Sequence, residues 1–215
     1  NPDNPLEMVF DYVRIRFPTQ DVKHVVEDIL KLRFDVMIHE DFGFYSYAEH
    51  YVLGDVFVLT SPDKEKGTLL ELKGKGCRQM ESYLLAQHRS WYVFLMDALI
   101  EGGVMKRLDL AINDMAGILD IPELTEKCNH EECISVFRSF KSYRSGELVR
   151  SQEQDKYGMG NTLYIGSLKS EVYFCIYEKD YEQYVKYDIP IEDTKIKNRF
   201  EIRLKNERAY YAVRD

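Results

Sequence analysis

Long apolar runs are missing from this sequence. No stretch approaches the roughly 18 residues of a membrane span, and no apolar leader follows a basic start. A membrane partner is therefore not expected, and a cytoplasmic chain is. Cysteine is sparse, with four residues (Cys77, Cys128, Cys133 and Cys175) that show no metal-ligand spacing. Reduced, mostly buried thiols are expected. The five histidines are scattered without a His-x-His run, so a metal centre of the His-x-His class is not expected. An excess of positive charge is lacking too: the net charge is −8, so any phosphate contact would depend on local patches. What the chain does have is apolar bulk. With 45% hydrophobic residues over 215 positions, it can bury the core of one large domain or two small ones.

The most informative stretch is 162–179. Val172, Phe174 and Ile176 alternate with Tyr173, Cys175 and Tyr177, a strand packed on both faces. Gly166-Ser167 interrupts the β-prone run Thr162 to Ile165 before it, so the pair reads as a hairpin with Tyr164 near its tip. A tyrosine beside a glycine can keep its hydroxyl accessible. The ordinary alternative is that Tyr164, one of sixteen tyrosines, fills a half-buried surface.

Residues 1–8 read as a linker from a preceding segment. Asp11 to Phe17 alternates as a half-buried strand, and Val22, Val25, Val26, Ile29 and Leu30 recur at helical spacing. Phe42 to Tyr47 and Tyr51 to Leu59 are expected to pair as a hairpin, followed by a strand from Leu69 to Lys73. Helices are expected over 78–87 and 91–100, the second stopped by Gly102-Gly103. A strand covers 105–112. Asn129 with Glu132 predicts a capped helix running to Tyr143, with Cys133, Val136, Phe137 and Phe140 facing the core. Ser151 to Gly160 reads as a loop, Asp180 to Tyr187 as a helix, Arg199 to Lys205 as a strand, and Glu207 onward as a helix.

This order repeats. Strand, helix, hairpin, strand, helix describes both halves, about 9–103 and 104–215, and Leu70-Glu71-Leu72-Lys73 aligns with Phe200-Glu201-Ile202-Arg203. The fold class is α+β, an antiparallel sheet with flanking helices built from two pseudo-repeated halves.

Charged residues share strand faces in three places. Arg107, Asp109 and Asn113 lie on one face, as do Arg199, Glu201, Arg203 and Lys205, and Glu71 lies with Lys73. A mid-strand acid on a covered face needs a cationic partner or a metal. A cross-strand ladder of ion pairs on a solvated face is the ordinary alternative. Basic residues also cluster from Lys195 to Arg208, including Lys197 and Arg199, and among Arg138, Lys141, Arg144 and Arg150.

Tyr164, Gly166, Ser167 and Ser170, then an apolar strand ending in Tyr177-Glu178-Lys179, resemble the replication initiation factor family of rolling-circle plasmid initiators and conjugative-transposon relaxases. Arg107 to Asp114 and Arg199 to Lys205 match the same family. The resemblance runs from about Val9 to the end of the chain. It implies a domain over 9–215 that nicks and rejoins one DNA strand at an origin, with Tyr164 as nucleophile forming a 5′-phosphotyrosine. It implies carboxylate ligands at Asp109 and Glu201, with Glu71 a candidate third, for Mg²⁺ or Mn²⁺, since hard oxygens suit these ions. Lys169, Lys179, Lys195, Lys197, Arg199 and Arg203 are candidates for DNA phosphate contact. Single-stranded or cruciform origin DNA, a host helicase and a second copy of the chain are the partners it points to. Tyr51 and Gly54 depart from the Tyr164–Gly166 spacing, so one active site per chain is expected. The rival expectation is a non-catalytic DNA-binding, replication-regulating module on the same fold.

Overall fold

In a computed structural model, residues 4–146 and 158–215 are described. Residues 1–3 of the expected linker, Arg150 and the first part of the expected 151–160 loop lie outside them. The chain divides into two compact units, residues 10–109 with 204–215 and residues 110–203 with the N-terminal stretch to Val9. Each unit is thus completed by a segment from one end of the chain.

The unit built on residues 10–109 carries strands β1 (Leu6–Phe17), β2 (Ile38–Glu40), β3 (Glu49–Leu53), β4 (Val56–Thr60) and β5 (Thr68–Lys73). Their order is β2-β3-β4-β5-β1, and each successive pair is antiparallel. β1 starts at Leu6, inside the stretch 1–8 read as a linker. Val13, Ile15 and Phe17 are fully buried, as the alternation predicts. The helical spacing at 22–30 becomes α1 (Val22–His24), capped by Asp21, which runs on as a π-helical turn over Val25–Ile29. Val25, Val26, Ile29 and Leu30 are buried as expected.

The hairpin is placed differently from the sequence reading. Phe42 to Tyr47 is a turn, and the run 51–59 is itself folded back at Gly54 (φ 59°). Gly54-Asp55 is a two-residue turn whose positive φ an L side chain disfavours, and it outweighs the apolar run around it. Helix α2 (Gly74–Ala86) begins four residues before the expected start. Gly76 belongs there because an added Cβ would lie 2.3 Å from the Asp55 carbonyl oxygen. α3 (Trp91–Ile100) is capped by Ser90 and stopped at Gly102 and Gly103. α6 (Asn206–Arg214) completes this unit, with Ala209 and Val213 buried.

The second unit holds the strand order β6-β10-β9-β8-β7. These are β6 (Val104–Asp114, which lends residues to both units), β7 (Phe140–Gly146), β8 (Gly158–Ile165), β9 (Val172–Glu178) and β10 (Asn198–Lys205). α5 (Lys179–Tyr187) follows β9 directly. The helix expected at 129–143 is not formed. Helix α4 instead spans Ile121–Asn129, where Asp120 accepts a hydrogen bond from the Glu123 amide and Pro122 sits in the first turn. That is a stronger start signal than Asn129 with Glu132, because proline pre-sets the helical φ at a position needing no amide donor. Residues beyond it leave the core, and Ile134 and Val136 are exposed. α4 packs Ile121 and Cys128 against Leu163 and Ile176 beneath the β8–β9 hairpin. The antiparallel sheet with flanking helices is as read from sequence.

Burial separates the thiols. Cys77, Cys128 and Cys175 are buried and Cys133 is exposed. Burial pushes the Cys77 thiol up to about 12 and Cys128 to about 11, the latter also donating a hydrogen bond to the Cys133 sulfur (Sγ–Sγ 3.4 Å). One cysteine is expected to react within minutes with a thiol-specific disulfide reagent at pH 8, and the other three only on denaturation. Peptide mapping of the modified protein checks that the fast site is Cys133; rapid labelling of Cys77 would contradict the packing described.

Candidate active site

Tyr164 lies in the β8–β9–β7 ladder, opposite Cys175 on β9 and Lys141 on β7. The hairpin bend uses Gly166 at φ 94°, where an added Cβ would come within 2.8 Å of the Phe137 ring. The Tyr164 ring touches Tyr143 edge-on (5.9 Å between centroids) and leans towards Tyr173 (6.5 Å). Tyr164 lines a pocket of about 330 Å³ together with Thr162, Cys175, Tyr177 and Arg203 on the strands and Tyr181 on α5. α5 approaches closely because Gly160 has no side chain; a Cβ there would meet Tyr181 Cβ at 2.7 Å. Burial pushes the Tyr164 hydroxyl up to about 12, with Cys175 and Tyr173 adding and the Arg203 charge opposing. At neutral pH this hydroxyl keeps its proton.

Glu201 and Arg203 lie two residues apart on one face of β10, as their spacing predicts. Glu201 is 2% exposed. Its Oε2 accepts from Arg203 Nε (2.9 Å) and Nη2 (2.7 Å), and its Oε1 from the Tyr177 hydroxyl (2.9 Å). The Arg203 guanidinium also stands beside the Tyr173 ring and its hydroxyl (3.5 Å). Lys179 donates to the Tyr177 hydroxyl at 3.3 Å and pairs with Glu182, which Lys186 also engages. Burial, and then the neighbouring Glu201 charge, raise Tyr177 far above the ordinary phenol range. It is a fixed donor rather than an acid.

The other two candidate carboxylates belong to the unit of residues 10–109. Asp109, 2% exposed, is gripped by Arg107 through Nε (3.0 and 3.2 Å) and Nη2 (2.6 Å). Arg107 lies over the Tyr12 ring at 4.0 Å. Glu71 pairs with Arg14 directly across the β1–β5 ladder (2.9 Å) and with Lys73 (3.3 Å), and accepts from the Tyr45 hydroxyl (3.1 Å). Arg14 in turn reaches the Tyr12 hydroxyl. Glu71, Arg14, Tyr12, Arg107 and Asp109 are therefore one continuous chain of contacts on this face.

The remaining sequence candidates are dispersed. Lys169 and Lys195 are exposed. Lys197 is tied by its ammonium to the Ile191 carbonyl (3.1 Å) and Thr194. Arg199 is buried and donates to Asn113 Oδ1 at 2.8 Å, while Asn113 donates to Glu7. Sequence reasoning gave Tyr177, Tyr173 and Glu182 no role in the site. Their alternation on β9 was visible, but the register that brings Tyr177 to Glu201 was not.

Carboxylate oxygens are the right donors for Mg²⁺ or Mn²⁺, and such ions need only one or two beside phosphate and water. Among the described residues no group of three or more His, Cys, Asp or Glu side chains forms a metal-holding cluster. Each candidate carboxylate is held by an arginine, so an ion would enter by exchange with a guanidinium.

The profile of the family described as "Replication initiation factor" matches residues 103–215. A second, "Rolling Circle replication initiation protein N-terminal domain", matches residues 7–97. The chain belongs to the replication initiation factor family. It is 45% identical over 212 residues to the Bacillus subtilis (strain 168) protein named "Putative DNA relaxase NicK", which covers 98% of this chain and 59% of that protein. It is also similar to a solved structure, the rolling circle replication initiator protein from Geobacillus stearothermophilus. There the TM-score is 0.76 at 25% identity, over 97% of this chain and 78% of the other. The chain thus spans about three-fifths of the length of the curated relative.

Removing Arg203 takes away the charged partner of Glu201 and leaves the Tyr177 hydroxyl bonded to it. Arg203→Met is expected to cost about 3 kcal/mol, the low end for breaking a buried pair because Arg203 itself reaches solvent. The same variant should move the Tyr164 hydroxyl further up, since the charge that lowers it is gone. Urea unfolding and ultraviolet tyrosinate titration, compared with Tyr164→Phe to isolate that ring, check both. An unchanged midpoint would show that the pair is not holding Glu201.

Proposed function

We propose that this chain nicks and rejoins one strand of origin DNA through a covalent bond between Tyr164 and the 5′ phosphate. The observation that carries this is a half-buried tyrosine hydroxyl opening onto a pocket with a fixed arginine, in a chain of the replication initiation factor family. The pocket admits a phosphodiester. Tyr164 Oη attacks phosphorus, the bond to the 3′ oxygen breaks, and the released strand end becomes a 3′ hydroxyl. Tyr164 gives up one proton to solvent and the departing oxygen takes one, so the step is balanced. Rejoining is the reverse, and the phosphotyrosine ester conserves the bond energy without a nucleotide cofactor.

Arg203 serves two ends. Its bond to Glu201 fixes the guanidinium, and Arg203 lines the pocket, where it can stabilise charge growing on the phosphate oxygens. The same charge works against the burial that holds the Tyr164 proton. Mg²⁺ or Mn²⁺, taken up by Glu201, Asp109 or Glu71, would supply further neutralisation of the scissile phosphate. Lys179, Lys169, Lys195 and Lys197 are proposed phosphate contacts, with Arg199, bonded to Asn113, a further candidate. Single-stranded or cruciform origin DNA, a host helicase, a second copy of the chain and a cytoplasmic setting complete the reading. Replication and conjugative transfer are both served by this chemistry.

Tyr164→Phe removes one oxygen and leaves the ring packed. It is expected to abolish nicking and the adduct with an origin oligonucleotide, while the melting temperature stays within a degree or two and DNA affinity is retained, on the order of a surface-type change. Nicking by that variant would overturn the assignment. Binding at full affinity with no cleavage in the wild type would instead favour a non-catalytic DNA-binding module.

Metal assistance has its own readout. An ion that binds only the folded protein raises its melting temperature by mass action. Millimolar Mn²⁺ is expected to stabilise the wild type and to lose that effect in Glu201→Gln. A wild-type melt that Mn²⁺ leaves unmoved would return these carboxylates to ion pairing alone.

A further inference from the structure

The turn between β2 and β3 carries three aromatic side chains that the packing leaves outside. Phe42, Phe44 and Tyr45 are 51%, 45% and 49% exposed. They are not loosely placed. Phe42 and Phe44 stand edge-on to each other (6.0 Å) over the buried His50 ring, whose Nδ1 meets the Phe42 carbonyl oxygen at 2.6 Å. Phe44 also meets Phe57 on β4 edge-on at 6.3 Å.

Tyr45 and Ser46 are both in the left-handed region (φ 54° and 64°), which a bulky residue adopts only when its surroundings impose it. Two contacts impose it here. The Tyr45 hydroxyl donates to Glu71, and the Arg14 guanidinium lies on the Tyr45 ring at 4.1 Å. Glu71 is therefore a positioning residue for Tyr45, its two oxygens shared among Tyr45, Lys73 and Arg14.

Between these rings is a cavity of about 360 Å³ lined by Phe44, Tyr45, Phe57, Leu59, Glu71 and Lys73. Its walls are aromatic and aliphatic, and its polar edge is one carboxylate and one ammonium. The Lys73 side chain is 66% exposed, and Lys66 reaches across to the Ser46 carbonyl at the back of the turn. A flat π-system with an anionic tail satisfies all of these features: its face on the rings, its tail at Lys73. A neutral aliphatic ligand would meet neither the faces of the rings nor the ammonium that Lys73 holds beside Glu71. In a chain of net charge −8, stacking is also a way to hold a polyanion that does not rely on charge alone.

We propose that the Phe44–Tyr45 turn is a stacking site for one unpaired base of single-stranded DNA, with Lys73 at the adjoining phosphate. This rests on DNA being the substrate of the Tyr164 site. It adds a second point of grip that is separate from cleavage, and it accounts for a strained aromatic turn kept at the surface.

The test uses the full chain and single-stranded origin oligonucleotides with 2-aminopurine walked through successive positions. One position is expected to be quenched on binding to the wild type and to recover its fluorescence in Phe44→Ala. Affinity should fall about 5- to 150-fold, the range for losing one stacked base. The yield of Tyr164 adduct at saturating DNA should not change. Phe44→Leu, which keeps the apolar contact with His50 and Phe57, guards against a folding defect and should lose most of the quenching as well. Quenching and affinity at the wild-type level in both variants would overturn the proposal.

A titration with deoxyadenosine monophosphate, followed by the aromatic proton resonances of Phe44 and Tyr45, separates the two readings. Shifts of those rings in a protein that binds no oligonucleotide would support the pocket and overturn the DNA reading. Undisturbed rings at millimolar nucleotide, in a protein that nicks DNA, would overturn the pocket alone.

Discussion

A carboxylate removed from water must be compensated where it stands, and Glu201 is nearly wholly removed. Ionised and unpaired, it would cost several kcal/mol, so the fold brings Arg203 and Tyr177 to it. That requirement fixes the pocket around Tyr164. Arg203 cannot turn away without stranding Glu201, and Tyr177 is held as a donor at the junction of β9 and α5. Such pairs contribute little net stability against an apolar replacement. Their effect is positional: an arginine edge and a tyrosine ring are held in one cavity before any ligand arrives.

The other unit meets the same demand in two ways. Arg107 grips Asp109 from two residues away on the same strand, as Arg203 does Glu201, whereas Arg14 reaches Glu71 across the ladder. Tyr12 lies between the two arginines and joins the pairs into a line of contacts. Low local dielectric strengthens each link and makes the loss of any one more costly. Tyr164 sits outside such a line. It is linked to Cys175 rather than to a carboxylate, and it lines a pocket together with Arg203.

Much of this was legible in the sequence, and the misses have physical causes. Period-two alternation located β1, β6, β9 and β10, because each has an apolar face that must be buried. It also put Glu201 and Arg203 on one face. Where two signals competed, the stronger start or stop won: Asp120 with Pro122 over Asn129 with Glu132, and Gly54-Asp55 over the apolar run 51–59. Exposed aromatics at 42–47 read as a strand because their types favour strands, yet their backbone includes two left-handed residues that no strand accepts. Cross-strand register was beyond reach. Neither Tyr177 against Glu201 nor Tyr45 against Glu71 can be found from spacing, since each joins elements whose alignment is set by the folded sheet.

The central claim is that one tyrosine hydroxyl, held protonated by burial beside a fixed arginine, becomes the covalent link to DNA. Mass spectrometry of the peptides released after reaction with an origin oligonucleotide tests this most directly. The account predicts a single nucleotide-modified peptide whose fragment ions place the phosphate on Tyr164. A phosphate on Tyr143, Tyr173 or any other residue, or cleaved DNA with no modified peptide, would contradict it.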